Sequence, residues 1–320
     1  MISPPLTDMD MMDRLLCWIR YISCVFWEFF TPVTPKIIRY ECPLCPQERR
    51  QKAALSIKQR QGIILEYDPL HCESLNNFQP LKNKSDCIFA KSAILWGSQS
   101  YDTTKTLEDN ISNSIPAITK FMSLVEEQPL DGFLIEVVGQ QYGKSVDAFA
   151  VTVRRVLTAI SRHDPSGLNC MNMKSITTSS WYFSFGGVPI FVTSFAPCYP
   201  SSHCRYMHLS TYFAADEDAP HGSQHGHNKD QSCYILLQPE ESFLRRGIGA
   251  DTPHTEWKDP RSARDKIRLK FLESGRAYHI PETTRYAVAN TFVLPHDCAL
   301  RGDGVRFWDT EKYPDSLHNS

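Results

Sequence analysis

The sequence predicts an α+β domain: a single mixed or mainly antiparallel sheet flanked by helices. Three observations lead there. Val146, Phe149, Ala150, Val153, Val156, Leu157 and Ile160 recur at the i, i+3, i+4, i+7 spacing that gives a helix one buried face. Gly132 to Val138, GFLIEVV, is an apolar run of strand length. Trp181, Phe183 and Phe185 alternate with Tyr182 and Ser184, the period of a pleated strand, and Gly186-Gly187 then offers a backbone able to turn at positive φ before a second β-rich run, Ile190 to Phe195. Strand, helix, hairpin and strand in that order favour α+β over a doubly wound sheet.

From the N-terminus, Leu15 to Phe30 is strongly apolar and aromatic, but Arg20 and Glu28 interrupt it and it falls short of the ~20 residues that span a bilayer. Asp8, Asp10 and Asp13 precede it, where a signal peptide would begin with positive charge. It is read as an amphipathic helix packing on the domain, with contact to a membrane interface through Trp18, Phe26 and Trp27 as the alternative. Gln47 to Gln61 is polar and basic, a connector. The predicted organisation is therefore a helix and connector over 1–61, a domain over 62–300 and a C-terminal tail over 301–320.

Within the domain, Asn83 to Trp96 is a short apolar stretch in which periodicity does not separate helix from strand. Leu107 to Val125 places Leu107, Ile111, Ile115, Ile118, Met122 and Val125 at core spacing, with a local break expected at Pro116. Arg154 and Arg155 lie off the apolar stripe of the following helix. Pro197 and Pro200 end the run Ile190 to Phe195, so the chain leaves the sheet there. Residues 213–231 are rich in Gly, His and Asp and poor in apolar side chains, an expected flexible insertion whose His221, His225 and His227 have no fixed metal geometry. Cys233 to Leu237 resumes a strand, and Asp259 to Ser274 is predicted helical, with Pro260 in its first turn and Ala263, Ile267 and Phe271 on one side.

Composition excludes several classes of function. The formal net charge of −2 gives no electrostatic basis for binding nucleic acid, and the pairs Arg154-Arg155 and Arg245-Arg246 are expected to be solvated. The 11 cysteines follow no framework spacing and, without a secretory signal, point to reduced thiols in a cytoplasmic protein. Cys42-Pro-Leu-Cys45 is a lone C-x-x-C and supplies half of a four-ligand zinc site. No G-x-S-x-G, H-E-x-x-H, P-loop or G-x-G-x-x-G motif supports a hydrolase, zinc protease, nucleotidase or dinucleotide-binding reading.

The ordered pieces W-x-F-x-F-G-G-x-P-x-F-V from Trp181, Pro197 with His203 and Arg205, and Q-P-x-x-S-F from Gln238 to Phe243 resemble the YqcI/YcgG family. Upstream, Asp86-Cys87-Ile88-Phe89-Ala90 resembles that family's P-C-x-F-A motif, with Asp86 in the place of proline; Thr252-Pro253, Arg261 to Arg268 and Leu294-Pro295 follow in the expected order. The resemblance runs from Cys87 to Asp297. Some members of that family are heme proteins that hydroxylate nitrogen, including guanidino groups of arginine-like amino acids, with an axial histidine. The branch with that activity places the histidine where this chain has Tyr199, whereas Tyr199-Pro200-Ser201-Ser202-His203-Cys204-Arg205-Tyr206 is similar to a second branch, Y-P-x-x-H-P-R-Y, except at Cys204.

What the resemblance implies is a heme b oxygenase acting on a small amine- or guanidine-containing substrate. His203 would be the axial ligand of the iron, with His208 and His279 as replacements. Arg205 would pair with a propionate, since guanidinium forms bidentate bonds to carboxylate, and Trp181, Phe183, Phe185 and Phe191 would line an apolar pocket. Each aromatic has an ordinary alternative role as sheet core. Two other classes of function stay open: a non-catalytic small-molecule or partner-binding domain, and a thiol-dependent redox protein built on Cys87, Cys198 or Cys204.

Overall fold

The computed structural model describes residues 62–172, 174–177, 181–207, 232–249, 255–276, 278, 288–297 and 304–318. All of them belong to the second of two units into which the chain divides, Arg39–Ser320. The expected N-terminal helix, Cys42-Pro-Leu-Cys45, His208, the insertion at 213–231 and His279 lie outside the described residues.

Five α-helices and five strands are arranged in the order α1 (Glu73–Lys84), β1 (Leu95–Gly97), α2 (Leu107–Leu124), β2 (Gly132–Val138), α3 (Val146–Arg162), β3 (Phe183–Phe185), β4 (Val188–Phe195), β5 (Ser232–Pro239), α4 (Glu240–Arg245) and α5 (Ala263–Glu273) among the described residues. The sheet order is β1-β2-β5-β4-β3, with β1 and β2 parallel and every other pair antiparallel, so the sheet is mixed and mainly antiparallel as predicted. Gly186 and Gly187 turn β3 into β4 with φ of 63° and 77°, left-handed at both central positions as a two-residue type I′ hairpin requires.

The alternation of the strands sorts side chains onto two faces. Partners directly opposite one another share a face, so Phe133, Leu237 and Val192 lie with Ile135, Ile235 and Ser194 on one side. That side carries the main core, where Ile111, Ile118 and Phe121 of α2 and Phe149, Val153 and Leu157 of α3 meet the strands. On the reverse side Leu134, Tyr234 and Leu236 meet Phe78 and Leu81 of α1 in a smaller cluster. β2 lies between the two layers, which is why its sequence reads as an unbroken apolar run rather than an alternating one.

Several details differ from expectation. α2 continues through Pro116, because one lost backbone bond, worth ~3 kcal/mol, is outweighed by a helix face on which Ile111, Ile115, Ile118, Phe121 and Met122 are all buried. α5 starts after Pro260 rather than around it: the Ser262 hydroxyl accepts the Asp265 N–H at 3.0 Å and caps the first turn. The residues expected to form a tail instead complete the main core, with Val305, Phe307 and Tyr313 buried. Arg154, expected to be solvated, is buried beneath this segment, donating to the Phe307 carbonyl at 3.1 Å and to the Asp315 carboxylate at 2.6 Å.

Candidate ligand-binding site

A cavity of about 200 Å³ opens on the reverse face of the sheet, between the strands, α1, α4, α5 and the turn at 85–93. Period-2 alternation builds its floor: Phe191, Thr193 and Phe195 of β4 point into it while Ile190, Val192 and Ser194 point to the main core. Next to them on β5 are Leu236 and Gln238, and the Thr193 hydroxyl donates to Gln238 Oε1 at 2.9 Å. Cys87, Phe89 and Ala90 form one wall, from a turn closed by the Ala90 N–H on the Cys87 carbonyl at 3.0 Å. Ser242 and Phe243 enter from α4, and Arg264, Ile267 and Phe271 from α5.

Polar groups on the rim are held in place. Arg246 chelates Asp131 with Nε at 2.8 Å and Nη2 at 2.6 Å, and the same carboxylate accepts the Ile94 N–H at 2.8 Å. Lys82 Nζ donates to the Ala93 carbonyl at 2.6 Å, and burial draws its ammonium below the usual lysine range. Burial pushes the Cys87 thiol up, against the pull of the Phe89 and Ala90 N–H groups; Cys198 is driven by the same cause to about 12. These thiols are the reverse of the activated thiolates that redox cysteines present.

The loop after β4 holds the residues singled out as ligands. His203 is 1% exposed and stacks on Tyr199, with ring centroids 4.0 Å apart and planes 8° from parallel. Its Nδ1 accepts the Arg205 N–H at 2.9 Å and its Nε2 lies 3.1 Å from the Pro295 carbonyl. A carbonyl only accepts, so Nε2 carries the proton and Nδ1 has its lone pair committed. Tyr199 is bound to the same strip, its hydroxyl donating to the Leu294 carbonyl at 3.0 Å and accepting the Leu294 N–H at 3.2 Å. Together they pin the loop to residues 294–295. An axial ligand needs an uncommitted ring-nitrogen lone pair, and His203 in this arrangement has none; nor is it a wall of the cavity. The residues present do not fit a heme ligated by His203.

The three strand aromatics fall on the other side. Phe183 and Phe185 are buried in the main core, and Trp181 packs there against Phe292, its Nε1–H donating to the Cys170 carbonyl at 3.0 Å. The pocket expected around them lies one sheet face away, because Phe183 is paired with Ile190 and shares its face, whereas Phe191, the next residue, looks into the cavity. Arg205 does line the cavity, as do Cys87 and Cys204. Asp131 and Arg246 do not stand out in the sequence: the pair Arg245-Arg246 reads there as solvated charge, yet Arg245 binds the carbonyls of Val125 and Leu130 at 3.0 and 2.6 Å while Arg246 takes Asp131. An acidic residue just before a buried strand and a basic pair just after a short helix are too common a pattern to be told from surface charge. Among the described residues, no group of three or more His, Cys, Asp or Glu is placed to hold a metal ion.

The fold defines an α+β protein with a small, largely apolar cavity between its sheet and one helical layer. The YqcI/YcgG family model matches residues 77–216, and over that region the chain is a YqcI/YcgG family protein. The match takes in Cys87, the hairpin and the His203 loop, while Gln238 to Phe243 lie beyond it. No curated protein and no solved structure matches the chain.

Proposed function

We propose that this protein binds a small molecule in the cavity on the reverse face of its sheet. The observation that carries the reading is convergence: Cys87 to Ala90, Arg205 and the stretch Gln238 to Phe243, remote in sequence and each singled out by the family resemblance, all contribute to the lining of this cavity. Concave, mainly apolar walls with a few fixed polar groups are what small-ligand sites are made of. Filling the space tests it. Ala90→Trp should abolish saturable binding of small aryl and C4–C8 aliphatic compounds in ligand-observed NMR while leaving the circular dichroism unchanged; equal binding to the filled variant would overturn the assignment.

A heme-dependent N-hydroxylase is the reading the family resemblance implies, and the hydrogen bonds on both ring nitrogens of His203 speak against it. Protein purified from heme-supplemented cells is expected to show no stoichiometric Soret band. A band lost on His203→Ala would restore the heme reading. The raised thiols of Cys87 and Cys198 speak against thiol catalysis at either. Cys72, Cys87, Cys170, Cys198 and Cys233 are free thiols, the state favoured in the cytoplasm, where we place the protein. No described helix is long and apolar enough to cross a membrane.

A further inference from the structure

We infer that the ligand of this cavity carries a carboxylate, and that its carboxylate docks on the side-on fork of Arg205; the inference rests on the small-molecule reading of the cavity. Arg205 is 7% exposed and lines the cavity. Its Nη1 donates to the Phe292 carbonyl at 2.6 Å and to Ser194 Oγ at 3.3 Å, and its Nη2 donates to the Thr291 carbonyl at 2.6 Å. All of these acceptors are neutral. A guanidinium has five N–H groups, and the Nε–H together with the second Nη2 hydrogen have no acceptor among the described residues. The edge formed by Nε and Nη2 is the one that grips both oxygens of a carboxylate side-on. No carboxylate of the described residues comes within ion-pair distance of Arg205 either, so among them this nearly buried cation has no counter-charge, an arrangement that an anionic ligand would relieve.

The surroundings point the same way. Among the described residues, four basic side chains, Lys82, Arg205, Arg246 and Arg264, line the cavity against a single acid, Asp131, which Arg246 already chelates. The rest of the wall is mainly apolar, with Phe78, Phe191 and Leu236 among its residues. One planar monoanionic head on an apolar body matches both features. A phosphate would bring more charge and a third oxygen into a small space shared with the Asp131 carboxylate.

The test uses the full chain and matched probes: benzoate and hexanoate, their neutral amides benzamide and hexanamide, and phenylphosphonate, each titrated by calorimetry. The carboxylates should bind about tenfold or more tighter than their amides, as expected for charge-assisted bidentate bonds. Arg205→Lys, which keeps the charge and loses the fork, should shrink that preference to about threefold or less. The comparison within the wild-type protein needs no variant, so misfolding of Arg205→Lys does not blunt it. Amides that bind as tightly as acids would overturn the carboxylate inference and leave the cavity reading intact. Phenylphosphonate binding tighter than benzoate would overturn it in favour of a phosphate ligand. Binding of no probe would overturn the cavity reading, and the inference with it.

Discussion

Glu136 is a carboxylate in the middle of a buried strand, on the face that meets α1. Asn77 Nδ2 donates to its two oxygens at 3.2 and 3.1 Å and the Tyr234 hydroxyl to Oε1 at 3.3 Å. Burial nevertheless dominates and raises its pKa above the ordinary carboxylate range. A raised folded-state value means that, between the unfolded pKa near 4.3 and the folded one, the native state holds more protons than the unfolded state. Stability therefore falls as pH rises through that window. Glu136→Gln, which keeps the Asn77 bond and removes the charge, should gain stability relative to wild type as pH is raised from 4 to 7.5. Urea unfolding at both values checks the sign, and a gain that shrinks with pH would refute it. His203 shows the limit of reading single residues: its identity is visible in the sequence, but the bonds that occupy both nitrogens come from the Arg205 backbone and from Pro295, and the second is 92 residues away.

Among the elements, those with a strong local signal match their predicted spans closely. β2 has the predicted ends, and α3 runs from Val146 to Arg162 as its apolar spacing requires, capped where Ser145 Oγ accepts the Ala148 N–H at 3.1 Å. The hairpin is equally legible because Gly186-Gly187 supplies the backbone conformation that side chains resist. Gly187→Ala should cost about 1 kcal/mol, measured by chemical denaturation, and an unchanged midpoint would show that the turn relaxes freely. α1 is not legible in the sequence. It is polar on most of its surface, contains Pro80 and buries only Ser74, Phe78 and Leu81, too narrow a stripe to stand out. Arg268, which is not on the apolar side of α5 marked by Ala263, Ile267 and Phe271, is nevertheless buried, with Nη1 2.6 Å from Thr255 Oγ1; periodicity ranks side chains by polarity and does not know what packs above them.

At the scale of the whole molecule, a sheet carries a thick helical layer on one face and a thinner one, enclosing the cavity, on the other. The last described residues belong to the thick layer. Phe307→Ala should cost about 3–5 kcal/mol, and a chain ending at residue 303 should lose its cooperative thermal transition, since Val305, Phe307, Tyr313 and the partners of Arg154 leave together. A cooperative transition in the truncated protein would make this segment dispensable after all. The α+β class, the hairpin and the two main helices are written into the order of residues, because each rests on the spacing of apolar side chains and turn glycines within short stretches of chain. The family signature is written there too. Which face of the sheet holds the cavity, that His203 anchors a loop, and that Cys87, Arg205, Gln238 and Asp131 meet around one space emerge only when the chain is folded. Strand register sets those meetings, and register depends on which strands pair across the fold, not on the order in which their residues are written.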